Sequence, residues 1–208
     1  MLEQIQPMDI ERRSFEIITE LLGERRLDPE NELVIKRAIH TSADFDYADN
    51  LVFSEHAVKK GIEALKVGCD IVTDTQMARA GINKKILESL GGEVHCFMAD
   101  PDVAEQAKAR GITRAYVSME KAAQLKKPCL FAIGNAPTAL VSLQQLMEEG
   151  KLSPALIIGV PVGFVNVVES KELIIEKHLA PYIIARGRKG GSNIAAAICN
   201  AMLYQIRR

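Results

Sequence analysis

Apolar residues recur along this chain in two rhythms. Ile10, Ser14, Ile17, Ile18 and Leu21 follow the spacing of one helical face, and Gly23 suits the end of that helix. Pro29 opens a second helical pattern through Leu33, Arg37 and His40. Ser54 is placed to cap a third helix carrying Ala57, Val58, Ile62 and Leu65, with Gly68 beyond its end. The rhythm then changes to short, mostly continuous apolar runs at 70–73, 94–98, 130–133, 156–160 and 182–185. Runs of this kind suit strands buried on both faces. Helical stretches such as 101–110, 138–149 and 192–204 separate them. The alternation predicts an α/β fold: a single doubly wound domain over 1–208, with a mainly parallel sheet of about five strands flanked by helices.

Composition narrows the classes. A chain of 208 residues suits one domain with a sizeable core. With 48% apolar residues and a net charge of −1, it fits neither a disordered chain nor a strongly nucleic-acid-binding one. No apolar run reaches bilayer-spanning length, and the first residues lack a basic-then-apolar secretory pattern. No membrane association is therefore expected. Cys69, Cys96, Cys129 and Cys199 are scattered without metal-ligand spacing, so they read as core fillers in a reduced, cytoplasmic chain. No metal site is expected.

Loops at the carboxyl ends of parallel strands are where ligands bind in such a sheet. Two glycine-marked turns stand there. Gly159-Val160-Pro161-Val162-Gly163-Phe164 precedes Glu169-Ser170-Lys171, and Arg186-Gly187-Arg188-Lys189-Gly190-Gly191-Ser192-Asn193 opens a small-residue helix. Glycine allows close backbone approach, a helix start offers unpaired N–H groups, and three cations beside it favour a carboxylate or phosphate. Tight packing alone is the other explanation of these turns. Thr73-Asp74-Thr75-Gln76-Met77 and Ile133-Gly134-Asn135-Ala136-Pro137-Thr138-Ala139-Leu140 follow earlier strands. In the second, Asn135 and Thr138 are possible caps with Pro137 in the first turn, while its backbone amides are possible ligand donors. Neither a G-x-G-x-x-G after a strand nor a P-loop motif occurs, which argues against nucleotide binding.

Among the histidines, His56 and His178 read as solvated and His95 as part of a strand. His40 closes a helical pattern immediately before the acidic loop Thr41-Ser42-Ala43-Asp44-Phe45-Asp46-Tyr47. An imidazole there is suited to proton transfer near neutral pH; Arg37 would disfavour its charged form, and Asp44 or Asp46 would favour it. A structural histidine and a solvated or weakly cation-binding acidic loop are the alternatives.

Several phrases taken together resemble the precorrin-8X methylmutase family of cobalamin biosynthesis. They are Glu11-Arg12-Arg13-Ser14-Phe15, Arg37-Ala38-Ile39-His40, Asp74-Thr75-Gln76-Met77, Ile133 to Leu140, Gly159 to Lys171 and Arg186 to Ser192. The resemblance implies an isomerase that moves a methyl group from C-11 to C-12 of the corrin precursor, giving hydrogenobyrinic acid or its cobalt-containing counterpart. It implies no redox cofactor or methyl donor, with any cobalt carried by the substrate. It implies His40 as the acid that protonates the macrocycle, and a homodimer whose active site lies between subunits.

Substrate contacts are then expected from Ser14, Arg37, Arg114, Gly134, Asn135, Gly163, Arg186, Gly190, Gly191 and Ser192. Ser14 has the alternative of a bond to its own helix backbone, and Arg37 and Arg114 that of surface ion pairs. Asn166 stands where many relatives carry glycine, in a turn whose left-handed geometry asparagine tolerates. That residue and the Asp44-Phe45-Asp46 loop resemble the cobalt-early branch more than the oxygen-dependent one. A non-catalytic tetrapyrrole carrier and an unrelated anion-binding enzyme are the rival classes.

Overall fold

The computed structural model describes residue 6 and residues 9–207. In chain order the elements are α1 (Ile10–Leu22), α2 (Glu32–Ser42), α3 (Tyr47–Asn50), β1 (Leu51–Phe53), α4 (Ala57–Lys66), β2 (Asp70–Thr73), α5 (Gln76–Gly81), α6 (Lys84–Ser89), β3 (Val94–His95), α7 (Pro101–Arg110), α8 (Arg114–Ala122), β4 (Cys129–Ile133), α9 (Pro137–Glu148), β5 (Leu156–Gly159), α10 (Val167–Lys177), β6 (Tyr182–Ala185) and α11 (Ser192–Ile206). The strands form one sheet in the order β1-β6-β5-β4-β2-β3, parallel throughout except that β1 runs antiparallel to β6.

The alternation of strand side chains explains the two helical layers. On β4, Leu130 and Ala132 point to one face and Phe131 and Ile133 to the other, and all four are buried. The first face packs with Ile71, Leu156, Ile158 and Ile183 beneath α1, α2, α4 and α11. The second packs with Val72, Ile157 and Ile184 against α8, α9 and α10. Both faces covered is what continuous apolar strands require. The small residues of α11, Ala195, Ala196, Ala197 and Ala201, are buried within the chain, where they let α2 and α5 approach.

The expectation of five strands becomes six. β1 is three residues long and lies at the sheet's antiparallel edge, too short to announce itself by period. Two start signals also act differently. Helix α2 begins at Glu32, because Asp28 folds the preceding residues into a turn by accepting the Glu30 N–H at 2.9 Å. Ser54 does not cap α4, which starts after His56 in a left-handed conformation; its buried hydroxyl accepts the Tyr182 N–H at 2.9 Å and ties the loop to β6. Other signals act as read: Gly23 ends α1 at φ 61°, and Asn166 holds φ 57° before α10. All four cysteines are buried and free.

The switch in winding direction falls between β2 and β4. From β2 the chain proceeds through α5 and α6 to β3, and from β4 through α9 to β5 on the opposite face. A crevice forms at such a point, and here Gly134 lines it. A Cβ on Gly134 would come within 2.7 Å of Ser192 Cα and 2.8 Å of its nitrogen. Gly134→Ala should therefore lower stability by about 2 kcal/mol, read as a lower urea midpoint with an unchanged slope; a wild-type midpoint would show that α11 can shift to make room.

Candidate active site at the carboxyl edge of the sheet

The Asp74 carboxylate organises this edge. It follows β2 directly, is fully buried, and accepts the backbone N–H groups of Gly134 (2.8 Å), Asn135 (2.8 Å) and Ala136 (2.6 Å). Burial pushes its pKa up, and the three donated N–H groups oppose that rise. The amides expected to meet a ligand from this loop are thus engaged by the protein itself. Asn135 and Thr138 do not cap α9, whose first residue is Pro137; Thr138 instead pairs its hydroxyl with that of Thr113 at 2.7 Å. Beside Asp74, Thr75 caps α5 through the Ala78 N–H and meets the Ser192 hydroxyl at 2.7 Å. The loops after β2, β4 and β6 are therefore knit together at the start of α11.

The second glycine turn folds back on the loop after β5. Gly191 donates to the Val160 carbonyl at 2.9 Å and Gly163 to that of Arg188 at 3.2 Å. Gly190 fits only as glycine, since any Cβ there would collide with the Val160 carbonyl. From beneath, the fully buried Lys171 of α10 donates to the carbonyls of Gly187 (2.7 Å) and Lys189 (3.0 Å).

The turn's cations divide by task. Arg186 is engaged by Glu172 through Nε at 3.1 Å, and Arg188 lies over the Phe164 ring at 5.8 Å. Lys189 bridges Asp44 (2.7 Å) and Asp46 (2.6 Å), which pushes its pKa up and holds the Asp44 carboxyl below its ordinary value. The acidic loop joins the end of α2 to the glycine turn through this largely exposed ion pair.

His40 stands at that end, exposed, with its ring edge-on to Phe15 at 5.7 Å. Phe15 also carries the Arg37 guanidinium at 5.2 Å, and Tyr204 does so at 4.9 Å. Arg37 is buried and bonds Glu11 at 2.6 Å, so its charge joins α1 to α2 and supports the ring under His40. Ser14 donates to the Ile10 carbonyl of its own helix at 2.8 Å. Arg114 is exposed at the start of α8, beside the Thr113–Thr138 contact that sets it near the start of α9. His56 pairs with Glu30 at 2.9 Å, His95 with Asp70 at 3.1 Å, and His178 packs edge-on to Tyr182.

His40, Gly134, Asn135, Gly163, Arg186, Gly190, Gly191 and Ser192 thus belong to one connected edge, with Arg114 on an adjoining helix. Asp74 and Lys171 stand in quoted sequence phrases, but sequence reasoning gives neither of them a role. The signals for them are a carboxylate directly after a buried strand, and a lysine at helical spacing from the buried Val167 and Ile174. A cavity of about 520 Å³ beside α8 and α9 is lined in part by Arg110, Glu120, Tyr116 and Gln145, which pair as Arg110 with Glu120 and Tyr116 with Gln145. Among the described residues no cluster of three or more His, Cys, Asp or Glu is placed to hold a metal ion, and no helix is long and apolar enough to cross a membrane.

A family model described as precorrin-8X methylmutase matches residues 9–205. The chain is 47% identical to the cobalt-precorrin-8 methylmutase of Salmonella typhimurium, covering 97% of each chain, and 42% identical to that of Methanocaldococcus jannaschii, covering 94% of this chain and 92% of the relative. It is 37% identical to the precorrin-8X methylmutase of Pseudomonas aeruginosa over 93% of each. The solved precorrin-8X methylmutase of Thermus thermophilus superposes with a TM-score of 0.86 at 36% identity, covering 95% of each chain.

Because the buried Asp74 carboxylate satisfies three backbone donors at once, Asp74→Ala should cost about 3 kcal/mol in urea unfolding, more than Asp74→Asn, which keeps an acceptor oxygen. Equal and small losses would mean that water replaces the carboxylate.

Proposed function

This chain belongs to the precorrin-8X methylmutase family, and from that premise we propose which of its residues perform the family's isomerisation. The reaction converts precorrin-8X to hydrogenobyrinic acid in cobalamin biosynthesis, an intramolecular methyl shift from C-11 to C-12. The migrating methyl already resides on the substrate, so the step as proposed consumes neither a methyl donor nor a redox cofactor. Positioning and one proton carrier suffice.

His40 is that carrier. The observation that supports it is an exposed imidazole on a fixed mount: Phe15 packs against its ring, and Lys189 holds the following Asp44 and Asp46 to the glycine turn. Protonation of the macrocycle withdraws electrons from the ring and eases migration, after which the imidazole retrieves the proton. Arg114 and Arg188, which have no ion pair among the described residues, and the first N–H groups of α11 suit the carboxylates that edge the pigment. The cobalt-containing precursor is the proposed substrate, supported by the cobalt-precorrin name of the Salmonella and Methanocaldococcus relatives and by the higher identity to them. The enzyme is proposed to work in the cytoplasm.

The site is proposed to be completed by a second copy of the chain. Ile10, Ile17 and Leu21 form a stripe along α1 on either side of Ser14, and they are 53%, 37% and 66% exposed. An apolar stripe left open beside His40 is the surface a partner subunit would cover. Light scattering at micromolar concentration should give a dimeric mass; a monomer would overturn the shared site.

His40→Ala should lower turnover by roughly a hundred- to ten-thousand-fold while pigment binding, followed by absorption, persists. Full turnover in the variant would remove His40 from the chemistry, and binding without conversion by the wild type would favour a tetrapyrrole carrier.

A further inference from the structure

Lys171 is a charged group that the reaction as proposed does not use, yet it is fully buried. Its neighbours on the inner face of α10, Val167, Ser170 and Ile174, are also buried, and packing there needs volume rather than charge. The charged form is kept at a cost, since burial pushes Lys171 down to about 8 with Glu172 the opposing influence. What the ammonium obtains is two carbonyls of one turn, Gly187 at 2.7 Å and Lys189 at 3.0 Å. A neutral side chain of equal size would leave both carbonyls of this partly buried turn without that donor. The same turn sends the Lys189 ammonium to Asp44 and Asp46, four and six residues beyond His40.

We propose that Lys171 is a positioning residue for the methyl shift: by fixing the backbone at 187–189 it aims Lys189 at the Asp44–Asp46 loop and thereby sets the end of α2 that presents His40. The inference rests on His40 being the acid. Lys171 itself touches neither pigment nor imidazole and acts in series through Lys189. Two lysines thus link α10 to α2 across the turn, the inner one bonded to backbone and the outer one to carboxylates. Misplacing an acid by a fraction of an ångström affects the chemical step more than it affects pigment binding.

The test is a cycle of four proteins: wild type, Lys171→Met, the surface variant Asp44→Asn/Asp46→Asn, and their combination. For each, kcat is measured by absorption and the pigment dissociation constant by titration. Lys171→Met should lower kcat by roughly ten- to a hundred-fold with the dissociation constant close to wild type, and the surface variant should act in the same direction. The combination should be no slower than the worse of its parents, because both cut one relay. Wild-type kcat in Lys171→Met, or losses that multiply in the combination, would overturn the inference. If Lys171→Met fails to fold, the surface variant decides, and wild-type kcat there would overturn it. A wild type that does not convert pigment overturns the functional reading and this inference together, whereas a converting wild type with an unaffected Lys171→Met overturns the inference alone.

Discussion

One buried carboxylate bears most of the burden at the functional edge of this fold. The strands after which the chain reverses its winding, β2 and β4, end side by side, and their loops must leave toward opposite faces of the sheet. Such loops expose backbone N–H groups that no strand partner can satisfy. Asp74 collects three of them, from Gly134, Asn135 and Ala136, and so closes the crevice that the topology opens. Its neighbour Thr75 then reaches the first residue of α11. The crevice that binds cofactors in many sheets of this class is here occupied by the Asp74 carboxylate and the amides it holds.

The cations at this edge are engaged by the protein in a similar way. Arg37, Arg186 and Lys189 look alike in sequence, each an exposed-type residue beside a glycine or a histidine. Folding engages them with Glu11, Glu172 and the Asp44–Asp46 pair. Their charges hold α1, α10 and the end of α2 in register with the glycine turn. The anion recognition proposed for Arg114, Arg188 and the first amides of α11 draws on groups outside these pairs.

Most of the fold is legible in sequence because five of the six strands are continuous apolar runs between helical periods. Buried strands and amphipathic helices obey different rhythms, and the change of rhythm marks each boundary. Leu51–Phe53 escapes because three residues carry no period. Ser54 misleads because a hydroxyl before a helix is equally able to accept a distant N–H, here that of Tyr182. Of the candidate site, the family phrases mark the loops and His40. The partners of Asp74 and Lys171 are not legible, since both satisfy groups 16 to 62 residues away and neither pairing leaves a local pattern.

The same logic bears on what a single chain can accomplish. A large pigment edged by carboxylates needs an apolar wall as well as a polar rim. Within one chain the described rim is well defined, but the wall is not: Phe164 and Val165 are 81% and 79% exposed, and the stripe of α1 on either side of Ser14 faces outward. Apolar residues held open in this way are costly to leave in water and hard to explain by the packing of one chain. In the proposed dimer a second copy and the pigment would cover them together, so that closing the interface would also exclude water from His40. The loops are already tied by Asp74, Lys171 and Lys189, so the proposed assembly would complete the site without first ordering it.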